Sequence, residues 1–108
     1  DHGEMLGEHG EDGHGFFVYE GAVHAPLIVR SPWQLPARRV PTTVEHVNIV
    51  PTILEAMGIP GGKSLPGKSL LRLAFGGPAT GFGQAVSETW YPRLHFGWAE
   101  LTAIYRDG

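Results

Sequence analysis

The sequence predicts an α/β fold in which helices pack on a mainly parallel sheet and a small antiparallel unit follows. Three observations carry this reading. Leu27-Ile28-Val29 is a short continuous apolar run, the pattern of a strand buried on both faces of a parallel sheet. Val47, Val50, Ile53, Leu54 and Met57 recur at helical spacing, and Gly58 stands where a left-handed C-terminal cap belongs. Residues 84–89 and 101–106 read as two strands, the second leading into Asp107-Gly108, a hairpin-turn dipeptide.

The elements follow in order. Residues 3–15 carry Gly at 3, 7, 10, 13 and 15 with no sustained hydrophobic period, so they are expected to form a loop of tight turns. Phe16-Phe17-Val18-Tyr19 opens a short helical or irregular element that ends near His24-Ala25. The apolar run after Pro26 is stopped by Ser31-Pro32, and the prolines at 32, 36 and 41 mark a surface loop. Asn48 is placed to cap the helix that follows, because Pro51 is tolerated in a first helical turn. Residues 61–67 form another glycine-rich turn, residues 69–75 a second short helix, and Gly76-Gly77-Pro78 a break before the strands.

Composition narrows the classes of function. Leu, Ile, Val and Phe make up 28 of 108 residues, above the level of a disordered chain, while 16 Gly and 9 Pro make it loop-rich. No apolar run approaches the roughly 20 residues of a membrane span. With no Cys there is no disulfide, thiolate metal ligand or thiol nucleophile in these residues. The net charge of −3 hides an asymmetry. Residues 1–20 hold Asp1, Glu4, Glu8, Glu11, Asp12 and Glu20 with no Lys or Arg, which is the wrong sign for nucleic acid. Six carboxylates so close together repel one another unless a cation sits among them. The chain opens on Asp1 inside this cluster and is read as part of a longer protein.

Several side chains can do chemistry. Asp1 and His2 can both reach one metal from a bend, although a hard divalent cation needs about six mainly oxygen ligands and imidazole suits zinc, iron or manganese better. The same two residues also fit an ordinary surface pair. His14, between Gly13 and Gly15, can bind an anionic ester or protonate a leaving oxygen, or can be a plain loop histidine. Glu4, Glu8 and His9 can orient such ligands or simply be solvated. No serine lies in a Gly-x-Ser-x-Gly elbow. Gly61-Gly62-Lys63-Ser64 is not a phosphate-binding loop, since position 57 holds Met rather than the required Gly. Trp90, Tyr91, His95, Phe96 and Trp98 surround Pro92-Arg93 and are expected mainly to pack.

Taken together, Asp1-His2-Gly3-Glu4-Met5-Leu6-Gly7-Glu8-His9-Gly10, Gly13-His14-Gly15, Tyr19-Glu20 and Pro26-Leu27-Ile28-Val29 resemble the sulfatase family of the alkaline-phosphatase superfamily. The resemblance continues through residues 47–54, Gly58-Ile59 and residues 65–71, and more loosely at residues 86–89. It implies an alkaline-phosphatase-like sandwich around a mainly parallel sheet. Residues 1–75 would be the C-terminal part of the catalytic domain, and residues 76–108 a linker with the first strands of a small antiparallel subdomain. The implied activity is hydrolysis of small-molecule or saccharide sulfate esters by a formylglycine, made upstream from a Cys or Ser in a Cys/Ser-x-Pro-x-Arg motif. The implied cofactor is a divalent metal, Ca2+ first and Mn2+ second.

By the same resemblance Asp1 and His2 match a pair of metal ligands. His14 matches a sulfate-contacting position where many members have Lys. The nucleophile lies outside these residues, so the 108 residues alone are expected to be inactive. Asn48 stands where Asp is common, with only a capping consequence. Many members are exported, which points to the periplasm or the exterior. Two other readings stay open: a phosphonate monoester or phosphodiester hydrolase of the same superfamily, and a non-catalytic metal-binding remnant.

Overall fold

A computed structural model describes residues 1–31 and 35–107. They divide into two compact units, residues 1–29 with 86–105, and residues 30–31 and 35–85 with 106–107.

The first unit begins with a miniature hairpin in which β1 (Met5–Leu6) pairs antiparallel with β2 (Asp12–Gly13), Met5 opposite Gly13 and Leu6 opposite Asp12. The glycine-rich segment is therefore folded back on itself rather than a plain loop. The connection is a 3₁₀ turn, Glu8–Gly10, entered through Gly7 at φ +106° and containing His9 at φ +55°. The Gly7 N–H donates to the Glu11 carbonyl at 3.0 Å and closes the turn. Such positive φ costs Gly nothing, and its spacing in the sequence is the visible trace of this turn. Met5 is 2% exposed and packs beside α1 (Glu20–Val23), its sulfur so close to Gly21 that a Cβ there would lie 2.6 Å away. The Gly3 N–H donates to the Ala22 carbonyl at 2.8 Å and ties the opening residues to the same helix. Of the short element expected to open at residues 16–19, the helical part is α1, which begins only at Glu20 and is capped by His24.

Strands β3 (Gln84–Thr89) and β4 (Leu101–Arg106) pair in a second two-stranded sheet and lie where the sequence placed them. Gly108, the second half of the turn dipeptide, lies outside the described residues. Between the strands the chain forms α4 (Tyr91–Phe96), which the sequence reading did not anticipate. Its signals are present: Pro92 sits in the first turn, and Gly97 at φ +67° closes the helix, its N–H donating to the Arg93 carbonyl at 3.1 Å. Phe16 meets Tyr91, Phe96 and Trp98 with ring centroids 5.7–6.1 Å apart, so the aromatic residues do pack together. The Thr89 hydroxyl donates to the Gly15 carbonyl and the Tyr105 hydroxyl to the Val18 carbonyl, two long-range ties on the loop that carries His14.

Residues 27–29 belong to no strand, and Ile28 is 88% exposed. A parallel strand exists only with hydrogen-bonding neighbours, and no described segment supplies one for this run. The parallel sheet expected from the sequence is accordingly not among the described residues. Of the loop expected over residues 32–41, the first three lie outside the described residues, and residues 35–41 carry no helix or strand.

In the second unit α2 (Ile49–Ala56) follows a 3₁₀ turn, His46–Asn48, and ends before Gly58 at φ +67° as expected. Asn48 stands at the N-cap position of α2 as expected, but its side chain makes no capping bond to that helix. Its Oδ1 accepts from the Glu45 N–H at 2.8 Å, so it reaches back to brace the preceding turn. The buried face of α2 holds Pro51 and Thr52, while Val50, Ile53 and Met57 are exposed. Thr52 links α2 to α3 (Leu71–Ala74): its hydroxyl donates to the Asn48 carbonyl at 2.6 Å and accepts from the Leu70 N–H at 2.8 Å. Leu70 and Leu73 are buried beside it. Among the described residues no helix is long and apolar enough to cross a membrane.

Candidate metal and ester site

The hairpin of the first unit sets the geometry of the candidate site. Asp1 and His2 precede β1, Glu4 adjoins it, and His14 leaves β2. The fold thus brings together side chains separated by up to thirteen positions in sequence. The His2 and His14 rings lie 4.0 Å apart between centroids, inclined by 32°. Nδ1 of His14 stands 3.0 Å and 3.1 Å from the two Glu4 carboxylate oxygens. His2 Nε2 lies 3.9 Å from an Asp1 carboxylate oxygen. All four residues are solvent-exposed.

Hydrogen-bond chemistry assigns the imidazole nitrogens. His2 Nδ1 is 2.8 Å from the Gly3 carbonyl oxygen, which can only accept, so Nδ1 carries the hydrogen. In the neutral ring the lone pair then resides on Nε2, the nitrogen nearest Asp1. A backbone carbonyl fixing the tautomer in this way is the usual support of a metal-binding histidine. The Glu4 carboxylate likewise takes the Nδ1 hydrogen of His14 and leaves His14 Nε2 for another partner.

The donor set allows a test of fit for a divalent metal. An Asp1 oxygen and His2 Nε2, 3.9 Å apart, are separated by about the distance between two adjacent ligands of one ion. The pair therefore fits as part of a coordination sphere. It covers two of the six to eight ligands, mainly oxygen, that calcium takes.

The other carboxylates nearby hold the loop. Glu8 accepts from the Leu6 N–H at 2.7 Å, and that bond holds its carboxyl below the ordinary value of 4.5. Glu11, not singled out by the sequence, is buried and accepts from the Phe17 N–H at 3.1 Å, closing the loop on which His14 sits. Its second oxygen, Oε2, is buried without a hydrogen-bond partner among the described residues. Only an acid set among glycines hinted at it, and Asp12 matches that description equally. His9 stacks on Tyr19 at 4.1 Å, so its ring is engaged in packing rather than directed at His2 and His14.

Comparison with known proteins identifies the family of the chain. The sequence profile described as Sulfatase matches residues 1–59. Over 71 residues the chain is 39% identical to "Uncharacterized sulfatase YidJ" of Escherichia coli (strain K12), an alignment covering 66% of this chain and 14% of that protein. It is 41% identical over 73 residues to Arylsulfatase K of Mus musculus, covering 68% of this chain and 13% of the relative. To Arylsulfatase K of Homo sapiens it is 38% identical over 74 residues, covering 68% of this chain and 14% of the relative. No solved structure matches the chain. The chain belongs to the sulfatase family. It spans about one-seventh of the length of these relatives. Family membership implies an alkaline-phosphatase-like α/β fold, of which the described residues form a small helix-and-hairpin portion.

Proposed function

We propose that this chain contributes the metal-binding and ester-contacting residues of a sulfuric ester hydrolase that acts on small-molecule or saccharide sulfate esters. The observation that carries the reading is the position of His14 beside His2, with Glu4 holding its Nδ1. Asp1 and His2 Nε2 hold a divalent metal, calcium first and manganese second. Such an ion, when bound, neutralises the ester oxygens. His14 Nε2, left outward by the Glu4 bond, meets the sulfate group and stabilises charge as the ester bond breaks. Gly3 keeps the His2 ring in the tautomer that offers Nε2. The nucleophile, a formylglycine on the family pattern, comes from outside these residues.

The test is ester hydrolysis by the complete enzyme carrying these residues, comparing an aryl sulfate with the matching phosphate and phosphonate esters. Preference for the sulfate is expected, and His14→Ala is expected to lower kcat by about 10²–10³ while leaving the fold intact. Preference for phosphonate or phosphodiester substrates would move the assignment to that branch of the superfamily. Absence of hydrolysis of all three would leave a metal-binding remnant.

A further inference from the structure

We propose that His2, Glu4 and His14 form a second mode of metal binding, one selective for zinc-like ions, that withdraws His14 from the ester. One ligand atom from each of these side chains lies within 4.8 Å of the others. Two imidazole nitrogens and one carboxylate oxygen are the donors that zinc takes in its open, three-ligand sites, with water in the fourth position. Calcium and magnesium call for oxygen instead, so the set discriminates against them.

The geometry is nearly assembled. Glu4 already holds His14 at 3.0 Å, and the two rings already lie 4.0 Å apart. Around a tetrahedral ion with bonds of about 2.0–2.1 Å, ligand atoms stand about 3.4 Å from one another. The Glu4–His14 contact must therefore open slightly, with the His14 hydrogen moving from Nδ1 to Nε2, while separations that reach 4.8 Å must close by a little over an ångström. Exposed side chains achieve this by rotation about their own bonds, and the hairpin register that sets their Cα positions need not change.

This mode differs from the Asp1–His2 pair in drawing on Glu4 and in using His14 as a ligand. The two modes share His2 and so exclude one another. The consequence for catalysis rests on the sulfatase reading above, because only there does His14 have an ester to lose. The binding itself is independent of that reading. Zinc is then an inhibitor that chelation reverses, and calcium does not replace it at this set.

The experiment is calorimetric titration of the complete protein carrying these residues with ZnCl₂ and, separately, CaCl₂, with no ester present. One zinc equivalent is expected to bind. Glu4→Ala and His14→Ala should each weaken it by more than about tenfold, the lower end of the loss seen when even the outer partners of a metal site are removed. His24→Ala serves as the control, since His24 pairs with Glu20 at 3.1 Å in a His–Glu contact that lacks a second imidazole. Its zinc affinity should match that of the parent chain. Repeating the titration in concentrated urea should abolish the tight equivalent, because the hairpin brings the donors together. Affinity that survives urea, that drops equally in His24→Ala, or that is untouched by both Glu4→Ala and His14→Ala overturns the site. Zinc affinity that behaves as expected in a complete enzyme that cleaves no sulfate ester would overturn the sulfatase reading alone.

Discussion

Replacement of Gly3 by Ala tests how the site is held, because Gly3 touches both the scaffold and the His2 ring. A Cβ built on Gly3 falls 2.0 Å from the Gly21 carbonyl oxygen and 3.1 Å from its carbon. Backbone, not a flexible side chain, stands in the way, so α1 or the opening strand must retreat by about 1 Å before contact becomes tolerable. That movement strains the 2.8 Å bond from the Gly3 N–H to the Ala22 carbonyl. Overpacking costs about 1–3 kcal/mol and a weakened backbone hydrogen bond about 0.5–1.5 kcal/mol, so a loss of about 2–4 kcal/mol is expected. The Gly3 carbonyl also holds His2 Nδ1, so the same shift turns the imidazole away from Asp1. Gly10→Ala is the comparison: nothing lies within 4 Å of a Cβ there, and only its φ of +75° opposes the change, at about 1–2 kcal/mol. Urea unfolding read by circular dichroism, with equal slopes, gives both values. Gly3→Ala proving no more destabilising than Gly10→Ala would refute the close approach of residues 3 and 21.

Two further outcomes are expected. Thr52→Val keeps the shape of a buried residue but leaves the Leu70 N–H without its acceptor, so a loss of about 1–3 kcal/mol is expected in urea unfolding, and a neutral result would show that α2 and α3 are not joined there. Glu100 accepts from Arg93 Nη1 at 2.8 Å, and this bond holds its carboxyl below the ordinary 4.5. Because the folded value is the depressed one, the stabilisation is present above pH 4.5 and is lost as pH falls through the lower folded value. A carboxyl titration followed by NMR should show the Glu100 midpoint below 4.5, returning toward it in Arg93→Gln; a midpoint at or above 4.5 in the parent chain would count against the pair.

What could be read from the sequence was governed by range. The end of α2 at Gly58, α3, and strands β3 and β4 were legible because their signals lie within a few residues: a helical period, a glycine at a cap, a run of strand formers. The helix α4 carried local signals too, Pro92 and Gly97, but its aromatic content was read as packing and hid them. The N-cap position of Asn48 is legible from residue type and the following Pro51, but the direction of its side chain, back to Glu45, is not. The run 27–29 has the composition of a parallel strand, but a strand is a property of two segments, and composition describes only one.

The site divides along the same line. Asp1, His2 and His14 were legible as residue types able to bind metal or ester, and the family resemblance gave them roles. Their mutual arrangement was not legible, because it depends on Met5 facing Gly13 across a two-residue ladder that glycine spacing alone does not specify. Glu4 shows why this matters. In sequence it is one of six acids among the first twenty residues, set beside Glu8 and His9 as able to orient the ligands but with no partner specified. In the fold Glu8 takes a backbone N–H, Glu11 closes the loop that carries His14, and Glu4 takes the Nδ1 hydrogen of His14. The cluster whose mutual repulsion called for a cation thus spends several of its carboxylates on hydrogen bonds from the chain itself. Among the described residues Asp1 accepts only from the adjacent His2 N–H, which leaves most of its acceptor capacity to other partners.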